Sequence, residues 1–79
     1  MNIKVLGSGC AKCAKLKLIV EEAVKNLNLE ATVEKVEDFM KIMEYGVMVT
    51  PALVVDEKVI FSGKVPTVKE IEEMLKKML

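Results

Sequence analysis

Histidine, arginine and tryptophan are absent from the 79 residues, and only two cysteines, two prolines and one tyrosine occur. With no histidine and no third cysteine, a four-ligand zinc site of the usual nitrogen and sulfur donors cannot be assembled. Lysine carries every positive side-chain charge, and 12 acidic residues balance 12 basic ones to a formal net charge of +0. That balance offers no electrostatic footprint for nucleic acid or an anionic membrane. Two cysteines are too few to staple a secreted mini-protein; a close pair in a reducing compartment points to catalysis or metal binding. The longest nearly apolar stretch, Gly46 to Val55, is interrupted by Thr50 and Pro51 and falls well short of the roughly 20 residues of a spanning helix. Met1 to Leu6 leaves no room for the apolar core of a targeting signal, so a cytoplasmic protein is expected.

What is present suits a compact fold. Hydrophobic residues make up 52% of the chain and charged residues 30%, a mixture that opposes disorder. No linker, repeat or low-complexity segment divides it, and 79 residues leave no margin for a second core, so one domain over residues 1–79 is expected.

Ile3 and Val5 mark a first strand that ends at Gly7-Ser8-Gly9. Leu16, Ile19, Val20, Ala23, Val24 and Leu27 then follow the one-face spacing of a helix, with Asn26-Leu27-Asn28 as its stop. Ala31, Val33 and Val36 alternate loosely with polar residues and suggest a second strand. Asp38 is suited to cap a short helix through Phe39, Ile42 and Met43, with Gly46 as its left-handed terminator. Leu53-Val54-Val55 reads as a buried strand, Asp56-Glu57-Lys58 as a tight turn, and Val59-Ile60-Phe61 as the returning strand of a hairpin. Thr67 and Glu70 form a capping box for a last helix whose apolar face is Val68, Ile71, Leu75 and Met78. The expected class is α/β, in the order β-α-β-α-β-β-α. A right-handed crossover and a hairpin build one four-stranded mixed sheet with helices on both faces.

Cys10 and Cys13 sit where the first strand turns into the first helix. A thiol at a helix N-terminus meets unpaired N–H groups and the positive end of the helix dipole, which favour the thiolate that attacks disulfides. Cys13, one turn on, is placed to attack a mixed disulfide at Cys10 and release the partner reduced. Lys12 adds a positive charge beside them. Two thiolates alone also satisfy linear Cu(I) ligation, so a copper-carrying role competes, as does an inert reading with Cys13 a buried core thiol and Cys10 incidentally exposed.

Three segments together, GSGCAKC, VTPALVVDEKV and FSGKVPT, resemble the small thioredoxin-like, glutaredoxin-sized redox-active disulfide proteins of archaea and bacteria, over nearly the whole chain. The resemblance implies a thioredoxin-like fold and thiol–disulfide oxidoreductase activity with Cys10 and Cys13 as catalytic residues. It also implies a cis peptide bond before Pro51, beside the disulfide, and a Thr50 backbone offered to an extended substrate chain; Ala11 and Lys12, between the cysteines, complete the docking surface. A proline at a strand entrance is physically consistent with that role, because it has no N–H to lose from the ladder. Disulfide-containing proteins are the implied substrates, a reductase or thiol donor the implied electron source, and no cofactor or metal is implied; a monomer suffices.

The chain departs from that pattern in places. Ala11-Lys12 replaces Gly-Pro between the cysteines, no tryptophan precedes Cys10, and Ile3 to Leu6 supplies no buried carboxylate for the resolving thiol. Lys64 follows Ser62-Gly63 where glutaredoxins place an acidic residue against glutathione. The competing Cu(I)-binding reading resembles heavy-metal-associated domains, which carry CxxC after a first strand but end in a fourth strand. A redox-inert adaptor that keeps the fold is the third reading. The methionines of the helices, Met40, Met43, Met74 and Met78, are expected to fill the core. Met48 is expected to border the disulfide, and Tyr45 to pack near the same surface.

Overall fold

The computed structural model describes residues 1–7 and 11–78. Seven elements follow one another: β1 (Asn2–Leu6), α1 (Ala11–Asn26), β2 (Thr32–Val36), α2 (Phe39–Glu44), β3 (Ala52–Val55), β4 (Lys58–Ser62) and α3 (Val68–Lys76). The sheet order is β2-β1-β3-β4. β1 runs parallel to β2 and antiparallel to β3, and β3 pairs antiparallel with β4. The last element among the described residues is the helix α3, which follows the β3–β4 hairpin.

Strand periodicity divides the interior in two. Ile3 and Val5 of β1, with Leu53 and Val55 of β3, face α1 and α3, where Leu16, Val20, Ala23, Val24, Ile71 and Leu75 complete the larger core. Leu6, Ala52 and Val54 point the other way, onto Ile42 of α2 and Val47. Helices therefore cover both faces. All four residues of β3 are buried, which explains why its sequence is continuously apolar where a half-buried strand would alternate.

The local signals have local causes. Asp38 caps α2 by accepting from the Met40 N–H at 2.9 Å, and the Thr67–Glu70 capping box is closed in both directions. Gly46, at φ +75°, ends α2, as a residue without a Cβ does at low cost. Asn28, at φ 54°, performs the same turn after α1, and the Leu29 N–H returns to the Val24 carbonyl at 3.1 Å.

Two expectations need correction. The hairpin turn is two residues long: Asp56 and Glu57 both take left-handed φ, 49° and 69°, while Lys58 already pairs with Val55. This is the backbone of a type I′ turn, which matches the twist of the flanking strands but usually recruits Asn or Gly. Long-range bonds hold it, since Asp56 N–H donates to the Asn2 carbonyl and Asn2 N–H to the Asp56 carboxylate, each at 2.8 Å. The methionines of α2 are the second correction: Met40 is 71% and Met43 57% exposed. A helix of six residues buries a single side chain, Ile42, and that contact leaves both methionines outside. Met78 lies past the end of α3 and is also exposed, whereas Met74 packs against the larger core as expected.

Candidate functional site

The C-terminal end of β1, the first turn of α1 and the segment entering β3 converge at one end of the sheet. Cys13 lies in that first turn and is fully buried, while its neighbours Ala11 and Lys12 are exposed. Cys10 lies outside the described residues, as do Ser8 and Gly9.

Gly7 and Thr50 lie beside the Cys13 thiol. A Cβ placed on Gly7 would run into Cys13 Sγ, would lie 3.2 Å from Cys13 Cβ and 3.7 Å from Thr50 Cβ. The thiol therefore occupies space that any other residue at position 7 would fill. In the sequence Gly7 marks only the end of the first strand; a glycine closing a strand three residues before a cysteine pair is the one signal of this role that it offers.

Thr50 is exposed, Pro51 is buried, and the peptide bond between them is cis. From Pro51 the chain continues directly into β3. The Pro51 carbonyl accepts from the Gly63 N–H at 2.8 Å. Gly63, at φ +78°, also lies under Val49: a Cβ there would come within 2.9 Å of Val49 Cγ1. Gly63 thus ties the end of β4 to the Val49-Thr50-Pro51 segment, a role the FSG triplet hinted at but did not specify. Lys64, next in sequence, places its Nζ 5.4 Å from the centroid of the Phe61 ring, so the charge beside this edge is positive.

Two exposed apolar residues lead into the Thr50-Pro51 bend. Met48 is 97% and Val49 56% exposed, immediately before Thr50. Among the described residues no charged or polar side chain is buried.

Tyr45 belongs elsewhere. Its hydroxyl accepts from Lys4 Nζ at 3.0 Å and donates to Glu57 Oε2 at 3.1 Å, and Lys4 meets Glu57 Oε1 at 2.9 Å. Glu57 sits in the β3–β4 turn, at the end of β3 remote from Pro51, so Tyr45 does not flank the Cys13 junction. The same bonds to Tyr45 and Glu57 hold the Lys4 amine well above its ordinary range, and those to Lys4 and Tyr45 hold the Glu57 carboxyl below its own.

Cys13 in the first turn of the helix after β1, the second cysteine of a CxxC sequence, beside a Thr-Pro entrance to a central strand on a β2-β1-β3-β4 sheet, defines a thioredoxin-like protein. Residues 1–76 match the thioredoxin domain family, and the chain belongs to it. A thioredoxin of Methanocaldococcus jannaschii is 42% identical over 77 residues, covering 98% of this chain and 88% of the relative. A thioredoxin of Methanothermobacter thermautotrophicus is 37% identical over 75 residues, with 95% and 97% covered. In fold, the chain resembles the germline-specific thioredoxin Deadhead of Drosophila melanogaster, at a TM-score of 0.67 and 14% identity, over 99% of this chain and 80% of that one. The protein is a thiol–disulfide oxidoreductase.

Proposed function

We propose that the exchange runs through Cys10 as nucleophile and Cys13 as resolving thiol, on protein disulfides docked along Thr50 and Pro51 with Ala11 and Lys12 at the rim. The observation that carries this reading is the convergence of Cys13, Gly7 and Thr50 at one end of the sheet. The Cys10 thiolate attacks one sulfur of the partner disulfide, forming a mixed disulfide and expelling the other sulfur as a thiolate that takes up a proton. The Cys13 thiolate then attacks Cys10 Sγ, closing the Cys10–Cys13 disulfide and expelling the second partner thiol. Two electrons pass to the partner, and a thiol donor or reductase returns them. Among the described residues no carboxylate is buried, so the Cys13 proton leaves through water or a more distant carboxylate.

The apolar collar of Met48 and Val49 fits a protein substrate better than a charged small molecule. Lys64, next to the docking edge, gives no acidic contact to a glutathione-like donor. The setting that suits this chemistry is the cytoplasm, where thiols are kept reduced, with the protein acting as a monomer of one domain. Among the described residues no helix is long and apolar enough to cross a membrane.

The test uses two variants and a protein disulfide substrate. Cys10→Ser is expected to abolish reduction, and Cys13→Ser to accumulate a mixed disulfide visible by mass. If the wild type reduced the substrate while Cys13→Ser trapped no partner, the assignment of roles would be wrong.

A further inference from the structure

We propose that Gly7 is a positioning residue for the resolving thiol: its bare α-carbon is the seat of Cys13 Sγ. The inference rests on the reading of Cys13 given above and deepens it. A Cβ at position 7 would overlap the sulfur and crowd Cys13 Cβ at 3.2 Å, so the seat exists only because residue 7 has no side chain.

Neither wall of the seat can retreat cheaply. Gly7 donates its N–H to the Val36 carbonyl at 2.9 Å, extending the β1–β2 ladder one residue beyond Leu6. Thr50 Cβ closes the far side, 3.7 Å from the added carbon. On the other wall, α1 is held by Leu16, Val20, Ala23 and Val24 in the larger core, so the first turn cannot slide without repacking it. Gly7 sits at φ +157°, a backbone that L residues rarely adopt, so alanine there carries a backbone cost in any background; the response specific to the sulfur is rotation of the Cys13 side chain. Helical residues use two of the three staggered χ1 wells freely, so displacement from one moves the sulfur by a whole rotamer and not by a fraction.

Such a displacement acts on one step of the reaction. No bond forms to Cys13 Sγ when Cys10 attacks a partner, whereas resolution requires that sulfur in line with the mixed disulfide, within the narrow geometry of the bond to be formed. Gly7→Ala, with both cysteines intact, is therefore expected to form the mixed disulfide at the wild-type rate. It should resolve it about tenfold more slowly, on the scale of an altered rotamer. A residue of purely structural importance would lower stability without changing the ratio of the two steps.

The experiment pairs rapid-quench trapping of the mixed disulfide with a double-variant unfolding cycle. In trapping, Gly7→Ala should accumulate the intermediate that the wild type passes through; an unchanged ratio of the two steps overturns the proposal. In unfolding under reducing conditions, Gly7→Ala should cost stability with Cys13 present and distinctly less beside Cys13→Ala, which removes the sulfur. Equal cost in both backgrounds overturns the seat. Should Gly7→Ala fail to fold alone, recovery of folding in the Cys13→Ala background supports the seat; the backbone cost at φ +157° is common to both backgrounds, so the seat is read only from the difference between them. The unfolding cycle involves no exchange chemistry. If Cys13→Ser trapped no partner, the resolving role would fall while a measured coupling would still establish the steric seat.

Discussion

Gly63 donates its N–H to the carbonyl of Pro51 at 2.8 Å, across the gap between the end of β4 and the entrance to β3. The bond is made from a backbone at φ +78°, with Val49 Cγ1 filling the space a side chain would need. Gly63→Ala is expected to destabilise the fold by about 1–2 kcal/mol from the left-handed backbone alone, and to raise KM for a protein disulfide as the Thr50–Pro51 edge shifts. Adding Val49→Ala should recover the steric part of the loss and leave the backbone part. Chemical denaturation and steady-state reduction of the same variants measure the two effects.

The Lys4–Tyr45–Glu57 group makes stability depend on pH in a defined sense. Glu57 titrates below its ordinary 4.5 in the folded chain, so its contribution is present above that value and is lost as pH falls through the lowered one. Lys4 titrates above its ordinary 10.5, so its contribution is full below 10.5 and is lost as pH rises through the raised value. The stabilisation spans the range between 4.5 and 10.5. Glu57→Gln should lower the thermal midpoint at neutral pH, and the difference from wild type should close near about pH 2, where both carry an uncharged side chain. Added salt should narrow it, because Glu57 is open to solvent.

Ile71 and Leu75 carry α3 onto α1 and the sheet, and both are fully buried. Ile71→Ala is expected to cost about 2–5 kcal/mol, a large share of the ~5–15 kcal/mol that holds a small domain together. Thr67→Ala, which removes only the capping box, should cost about 1 kcal/mol. Denaturation midpoints at constant slope would separate the two.

Met48 projects into solvent beside Thr50, so its substitution should leave stability within ~0.5 kcal/mol. Met48→Lys is nevertheless expected to lower kcat/KM for a protein disulfide by about fivefold, the ~1 kcal/mol of a lost interface contact, while a small aliphatic disulfide is reduced as before. Equal rates with both substrates would remove Met48 from the docking surface.

The features legible in the sequence were those whose partners are near in the chain. Asp38 bonds a backbone group two residues on and Thr67 one three residues on; both caps are inscribed in adjacent letters. The buried strand Ala52–Val55 and its pairing were legible because unbroken apolar residues have few other homes. The Asp56-Glu57 turn was misjudged by one residue because its left-handed pair is secured by Asn2, Lys4 and Tyr45, 12 to 54 positions away. Met40 and Met43 had the spacing of core residues, but α2 is too short to bury more than Ile42. The sequence offered a glycine before the cysteine pair but not its use as a seat for Cys13, which exists only where α1 and β1 meet.

β3 has hydrogen-bonded neighbours on both edges and apolar cover on both faces. Amides in such a strand exchange with solvent only when the whole molecule opens, whereas a short capped helix such as α2 opens locally and often. Thr50 and Pro51 are the residues that immediately precede this slowest-opening segment. The edge proposed to receive a partner is therefore anchored to the part of the protein with the highest opening free energy, and little ordering entropy is lost there at encounter.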